Sequence, residues 1–326
     1  MTRTPRGKPI AAALLAGSAA LVLAVGVACA APATPAARAL AAPVATATVA
    51  EAQRALLWKV SDGDNHLYLL GSFHVLKPQD YPLPVAIDAA FADAERVAFE
   101  VSPEEMRSPD LPMKMLAAGT IDHGTPLSER LRPATYRKLQ AYCAKRCAQS
   151  GLAMEQLVRF EPWMVSLMVS LVEARRLGYE SGKGLDQNLI DRTLAAKKAS
   201  MGLETAEQQI TVLDGMSAKE QEQSLLEALD DVDGMQGRME ELHSDWRRGD
   251  ADALERLMNS ELKESYPQLY QRINVARNDA WVPKLRKLLD TPGTDDTLVI
   301  VGAMHLLGPD GLVAKMHASG YRVERL

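Results

Sequence analysis

The sequence of 326 residues is poor in aromatic side chains, which make up 5% of it. With so few rings, stacking platforms for single-stranded nucleic acid or for sugars are not expected. Basic residues are also outnumbered, because 37 Lys and Arg face 42 Asp and Glu, for a net charge of −5. A nucleic-acid-binding surface normally needs a basic excess, so nucleic acid is excluded as the main partner.

Several motifs of common enzyme classes are missing as well. The chain has no H-E-x-x-H, no G-x-S-x-G and no G-x-G-x-x-G after a predicted strand, which excludes the usual zinc-protease, serine-hydrolase and dinucleotide sites. Gly182-Lys183-Gly184 resembles the end of a phosphate-binding loop but lacks the first glycine and the final Ser or Thr. The remaining composition, 47% hydrophobic and 24% charged, is typical of a globular protein.

The first 30 residues have the pattern of a signal peptide. A basic start is followed by an uncharged run over residues 9–31, and Ala28-Cys29-Ala30 supplies the small residues of a cleavage site. We expect cleavage after Ala30 and export to the periplasm or the medium. A retained membrane anchor is the alternative. Lipid attachment at Cys29 is less favoured, because Gly26 stands where a lipobox has Leu.

Residues 31–53 are rich in Ala, Pro and Thr without an apolar period, which is typical of a linker. Residues 54–326 then form the folded domain. No other segment is apolar for 18 residues, so we expect no stable membrane contact once the signal peptide is removed.

Two cysteines, Cys143 and Cys147, remain after this processing. In an oxidising compartment they are expected to form a disulfide. The i,i+4 spacing argues for caution, since Cβ atoms on a regular helix lie about 5–6 Å apart and a disulfide prefers about 3.8 Å. We therefore expect the helix to fray or end near Ser150-Gly151. The alternatives are two free buried thiols or half of a metal site.

Apolar periodicity predicts strands at both ends of the domain and helices between them. The predicted strands are Leu56–Val60, His66–Gly71, Arg96–Val101, Ala199–Leu203, Thr297–Val301 and Tyr321–Arg325, with helices over Leu83–Ala94 and Pro309–Ser319. From about residue 130 to 290 the pattern is mostly helical. This order predicts an α/β fold with a mixed β-sheet, built from two strand-rich halves around a long helical insertion.

One small pattern occurs twice, once in each strand-rich half. An apolar strand, a glycine, two further residues and a histidine give Gly71 with His74 and, near the other end, Gly302 with His305. Each histidine follows the carboxyl end of a predicted strand, where open α/β sheets bind ligands. Two such imidazoles could converge on one metal ion or one scissile group, although a single strand-end histidine is often structural.

Glu100 ends a third strand, on the face opposite the large apolar side chains of Val97, Phe99 and Val101. Its small neighbours Ala98 and Ser102 would leave room for another group beside the carboxylate. The alternative is a glutamate that faces solvent.

Taken together, these motifs resemble the TraB/PrgY/GumN family, and most of all its GumN-like branch. The resemblance rests on six segments in the same order: L-L-G-S-F-H-V-L, V-A-F-E, G-L-D-Q-N-L, G-L-E-T-A-E-Q-Q, A-R-N-D-A-W and V-G-A-M-H-L-L-G-P-D-G-L. It runs from about Ala55 to Leu326. The family is grouped with the Tiki metalloproteases and, more distantly, with erythromycin esterases.

The resemblance implies a divalent metal held by His74, His305 and Glu100, with Mn²⁺ or Co²⁺ favoured over Zn²⁺. It also implies a second-sphere or substrate role for Arg277, which can hold an oxyanion, and for Asn278. The alternative for Arg277 is a structural ion pair from the middle of a helix, with Asp279 or with another helix.

Three further acidic or amide residues match positions of the family. Glu204 is implied as a catalytic residue, with a helix-start carboxylate as the alternative. Asp186 and Gln208 also match, without an implied role.

Two functions follow from these expectations. The first is a metal-dependent hydrolase, most of all a peptidase, that acts on a peptide or small molecule outside the cytoplasm. The second is a non-catalytic protein that binds a peptide or small ligand in the same pocket.

Overall fold

The computed structural model describes residues 54–121, 124–230 and 234–326. The predicted signal peptide and linker, residues 1–53, lie outside this part of the chain. Within the described ranges, no helix combines the length and apolar character needed to cross a membrane.

The sheet has six strands in the order β4-β3-β5-β2-β1-β6. Its strands are β1 (Leu57–Ser61), β2 (His66–Ser72), β3 (Arg96–Val101), β4 (Ala199–Glu204), β5 (Thr297–Gly302) and β6 (Arg322–Arg325). β2, β5, β3 and β4 run parallel, whereas β1 is antiparallel to both β2 and β6. The predicted strand ends differ from these by one residue at most, and the predicted mixed sheet of an α/β fold is confirmed.

Helices account for most of the remaining described residues. They are α1 (Val85–Asp93), α2 (Pro103–Met106), α3 (Leu111–Gly119), α4 (Leu127–Arg130), α5 (Pro133–Tyr142), α6 (Ala148–Ser150), α7 (Met154–Leu157), α8 (Pro162–Arg176), α9 (Leu185–Ala196), α10 (Ala206–Asp214), α11 (Ala218–Asp230), α12 (Met235–Arg248), α13 (Ala251–Leu254), α14 (Glu261–Ser265), α15 (Pro267–Tyr270), α16 (Ala276–Asp290) and α17 (Leu312–Ala318). Cys143–Cys147, Glu255–Ser260 and Gln271–Val275 are π-helical, and Pro78–Asp80, Ser181–Lys183 and Ala303–His305 are 3₁₀ turns.

The two strand-rich halves meet at β5, which lies between β2 and β3 and is buried along its whole length. Its sequence T-L-V-I-V-G is apolar on both faces, as expected for a strand covered on both sides. The helical insertion returns to the sheet once, as β4, which pairs with β3. The four adjacent parallel strands β2, β5, β3 and β4 therefore end at one edge, which we call the carboxyl edge, and begin at the opposite one, the amino edge.

The predicted disulfide is confirmed, because Cys143 and Cys147 are bonded with their Cα atoms 4.5 Å apart. The local change in the helix is not the fraying that we expected near Ser150-Gly151. The chain between the cysteines forms a π-helical turn, and the helix continues to Ser150 before it ends at Gly151, whose φ is +76°. The π-helical turn, rather than a frayed end, carries the bonded pair.

Candidate functional site

The parallel strands bring four predicted residues to the carboxyl edge. Glu100 is the penultimate residue of β3 and Glu204 is the last of β4. His74 follows β2, and His305 lies in the 3₁₀ turn after β5. All four side chains are buried, with Glu204 the most exposed at 9%. Ionisable groups buried this deeply need partners, and the surrounding helices supply them.

Glu100 is held by three donors. The Gly302 N–H donates to Oε1 at 2.6 Å, while Arg277 Nη2 and Gln209 Nε2 donate to Oε2 at 2.6 and 2.9 Å. The alternative of a solvent-facing Glu100 is therefore wrong, because helices α10 and α16 cover this face of β3. The second motif glycine, Gly302, contributes to the site through its backbone.

Arg277, from α16, joins both glutamates. Its Nη2 lies 2.6 Å from Glu100 Oε2 and 2.6 Å from Glu204 Oε1, and its Nε donates to both oxygens of Glu204 at 3.1 and 3.2 Å. Burial by itself lowers the pKa of Arg277, but Glu204 and Glu100 raise it above its ordinary value. The guanidinium is therefore a fixed positive charge between two carboxylates. The alternative pairing with Asp279 is wrong, since Asp279 accepts from Lys315 at the surface.

His305 is fixed as a neutral imidazole by its partners. Its Nε2 lies 3.0 Å from Arg277 Nη1, and an arginine nitrogen can only donate, so this nitrogen accepts. The proton is then on Nδ1, which donates to Asn278 Oδ1 at 2.8 Å. Asn278 is itself held, because its Nδ2 donates to the carbonyls of His305 and Asp310. Asn278 thus sets the tautomer of His305.

His74 has a different environment. Its Nδ1 lies 2.9 Å from Asp186 Oδ1, and Ser72 Oγ donates to the same oxygen at 3.0 Å. Burial alone lowers the pKa of His74, but Asp186 and then Glu100 raise it, so the net pKa lies above its ordinary value of 6.5. Among the described residues, Nε2 has no hydrogen-bond partner and lies 4.0 Å from Glu100 Oε1.

A small cavity adjoins His74 and Glu100. Its volume is about 10 Å³, and its wall includes Asp186 together with the apolar side chains of Met106 and Ile300. A cavity of roughly this size holds one water molecule. A larger cleft of about 740 Å³ is lined in part by Val75, the residue that follows His74.

The implied divalent metal can be tested on this geometry. The 4.0 Å between His74 Nε2 and Glu100 Oε1 fits two ligands of one ion, since such bonds are about 2.0–2.2 Å long. His305 does not complete the set, because its Nε2 faces the Arg277 guanidinium, which repels a cation. The three side chains therefore do not fit a three-ligand site in this arrangement, although His74 and Glu100 fit as a pair.

The residues that matched the family without a role now have partners. Asp186 holds His74, and Gln208 caps α10, where it exchanges hydrogen bonds with Thr205 at 2.9 and 3.2 Å. The alternative of Glu204 as a helix-start carboxylate is wrong, because Thr205 is the capping residue and Glu204 binds Arg277.

Two residues of the site escaped the sequence reasoning. Gln209 bridges Glu100 and Glu204, and a lone glutamine on a helix gives no signal in a single sequence. Gly184, rejected with its phosphate-loop pattern, lies so close to the chain at His74 that an added Cβ would meet the His74 carbonyl oxygen at 2.4 Å. Gly71 is also required by packing, because an added Cβ would lie 3.0 Å from Leu56 Cβ.

Comparison with known proteins finds one family and uncharacterized relatives of similar length. The profile of the TraB/PrgY/gumN family matches residues 56–325. The uncharacterized protein YbaP of Escherichia coli (strain K12) is 25% identical over 254 residues, which cover 77% of this chain and 87% of that protein. An uncharacterized protein of Treponema pallidum (strain Nichols) is 25% identical over 274 residues, covering 79% and 78%. No solved structure matches the chain significantly.

Proposed function

Since this chain belongs to the TraB/PrgY/gumN family, and a buried Asp–His pair adjoins a carboxylate at its carboxyl edge, we propose that it is a hydrolase. Its proposed substrates are peptides or small acyl compounds outside the cytoplasm. The observation that carries the proposal is His74, whose Nδ1 is held by Asp186, whose Nε2 has no hydrogen-bond partner among the described residues, and which lines a small cavity together with Glu100.

The proposed chemistry is general base catalysis. Neutral His74 takes a proton at Nε2 from a water in this cavity, and the water oxygen attacks the substrate carbonyl carbon. When the carbon–nitrogen or carbon–oxygen bond breaks, His74 returns the proton to the leaving group. Asp186 orients the ring and stabilises its protonated form.

Arg277 is a positioning residue in this proposal. Its Nε, Nη1 and Nη2 all have partners, so the oxyanion role implied by the resemblance would require it to exchange one of them. Its contacts instead hold Glu100 in place, 4.0 Å from His74. Through its contact with Nε2 it also orients His305.

A divalent Mn²⁺ or Co²⁺ ion is the second candidate for this site, and the observation that favours it is the same unpartnered Nε2 opposite Glu100. His74 and Glu100 would hold the ion, which would polarise a substrate carbonyl. We also propose that the chain belongs to the GumN-like branch of the family. The Tiki metalloproteases and, more distantly, the erythromycin esterases would then be its relatives.

The test is cleavage of a peptide and ester library by the purified protein, with matched variants of the two histidines. His74→Gln should lower the rate about 10²–10⁴-fold, as loss of a general base does. His305→Gln should lose far less, because an amide oxygen can still accept from Arg277. Equal losses in both variants would contradict the proposal.

Two further experiments distinguish the general-base hydrolase from the metal-dependent hydrolase and from the binding protein. Activity that survives dialysis against a chelator supports the general base, whereas loss with recovery on Mn²⁺ or Co²⁺ supports the ion. If no bond is cut but a peptide binds, and His74→Gln weakens this binding, the chain is a binding protein and the hydrolase is refuted.

A further inference from the structure

A second convergence of ionisable side chains lies at the amino edge of the sheet, away from the proposed active site. His66 begins β2, Asp296 immediately precedes β5, and Asp93 ends α1 just before β3. The strand register explains why these residues lie close together, because Thr297 of β5 pairs with Leu67 of β2 on one side and with Arg96 of β3 on the other. The starts of three neighbouring strands are therefore side by side.

The distances at this point fit the ligands of one ion. His66 Nε2 lies 2.9 Å from Asp296 Oδ2 and 3.4 Å from Asp93 Oδ2, and one donor atom from each of the three residues lies within 4.8 Å of the others. Ligands about 2.0–2.2 Å from a tetrahedral ion stand roughly 3.4 Å from one another. Small side-chain adjustments would suffice to place an ion among them.

The His66 Nε2 is a buried atom that faces two carboxylates, with Asp296 Oδ2 at 2.9 Å and Asp93 Oδ2 at 3.4 Å. The side chains around it are held by other contacts. The backbone N–H of His66 donates to Asp296 Oδ1 at 2.8 Å, and the Tyr68 hydroxyl donates to Asp93 Oδ2 at 2.6 Å. Tyr68 also packs edge-on against the His66 ring, with centroids 4.7 Å apart. Such outer contacts commonly orient metal ligands.

The local charge favours a cation. Glu95 adds a third carboxylate, since its Oε2 accepts from the Asp296 N–H at 2.7 Å. Arg96 pairs with Asp295 instead. Lys59, the cation that acts on Asp93, lies over the Tyr68 ring at 5.8 Å from its centroid. Asp93 is half exposed, which gives an ion from solvent a route to the cluster.

We propose that His66, Asp93 and Asp296 bind one divalent transition-metal ion, for which Zn²⁺ is the best match. Imidazole nitrogen and aspartate oxygen are both Zn²⁺ ligands, and three protein ligands leave the fourth position to solvent. The ion would join α1, β2 and β5 at the edge opposite His74. This inference does not depend on the proposed hydrolase.

The test is a Zn²⁺ titration by isothermal calorimetry on the full chain carrying His74→Ala, so that the carboxyl edge contributes no imidazole. One equivalent of Zn²⁺ should bind at this site and raise the thermal unfolding midpoint. Adding His66→Ala or Asp93→Asn to this variant should abolish the binding of that Zn²⁺ equivalent and the rise in the thermal unfolding midpoint. Tyr68→Phe should weaken binding about 10-fold, as loss of an outer contact does.

The matched control is His317→Ala, which removes an exposed histidine of α17 and should change neither quantity. Asp93→Asn alters an exposed carboxylate, so it remains informative if His66→Ala does not fold. If Zn²⁺ does not bind, or binds equally well after His66→Ala or Asp93→Asn, the three side chains only hold the starts of the strands together, and the proposal is overturned.

Discussion

Arg277 neutralises two buried glutamates, so its replacement offers the sharpest test of how the site is held. In the native protein, Glu100 and Glu204 each accept a hydrogen bond of 2.6 Å from Arg277. Arg277→Met keeps the hydrophobic stem of the side chain but leaves both glutamates without this positive partner. Removing one member of a buried ion pair costs about 3–5 kcal/mol, because an uncompensated charge remains inside. We expect a loss of that size in the free energy of unfolding, measured by urea denaturation at neutral pH.

The same region supplies the control. Lys315 pairs with Asp279 of α16 at 2.6 Å, but the Asp279 side chain is 57% exposed. Lys315→Met should therefore cost less than about 1 kcal/mol. Replacing both glutamates by glutamine in the Arg277→Met background should restore much of the lost stability. If Arg277→Met costs no more than Lys315→Met, or the glutamines restore nothing, the charge argument is wrong.

Three further outcomes are expected. Asp186→Asn removes the carboxylate that raises the pKa of His74 above 6.5. The acidic limb of the pH–rate profile, along which the active neutral imidazole forms, should therefore move to lower pH. If this limb does not move, His74 is not the base. Serine at both Cys143 and Cys147 should lower the free energy of unfolding by about 2 kcal/mol, the loop-closure value for so short a loop, and reductant should then have no further effect in urea denaturation. Mass spectrometry of the native protein should find an N-terminus near Ala31; an intact Met1 would refute signal cleavage.

The fold was predictable where the chain carries a clear period. Continuous apolar runs such as Thr297–Val301 gave strands within one residue of their observed ends. The return of Ala199–Glu204 to the sheet was predictable as a strand but not as the neighbour of β3, because pairing over so long a separation leaves no local signal. The π-helical turn at the disulfide was missed for a related reason, since the sequence shows the spacing of the cysteines but not how the backbone accommodates it.

The site divides in the same way. His74, Glu100 and His305 were predictable because each follows or ends a strand, and parallel strands end together. Their partners come from helices, whose positions around the sheet are set by packing rather than by sequence spacing. Arg277 and Glu204 therefore required the resemblance, and Gln209 required the structure.

The two G-x-x-H motifs look equivalent in sequence, yet their chemistry differs because their partners do. His74 Nδ1 meets a carboxylate, from Asp186, which raises the pKa of His74, and its Nε2 has no hydrogen-bond partner among the described residues. His305 Nδ1 meets an amide, from Asn278, and its Nε2 accepts from a permanent cation, so it is held neutral. A histidine that must take up a proton cannot do so while its Nε2 accepts from a guanidinium. In the proposed mechanism, the repeat therefore places one imidazole that can accept a proton beside one that Arg277 and Asn278 hold in place.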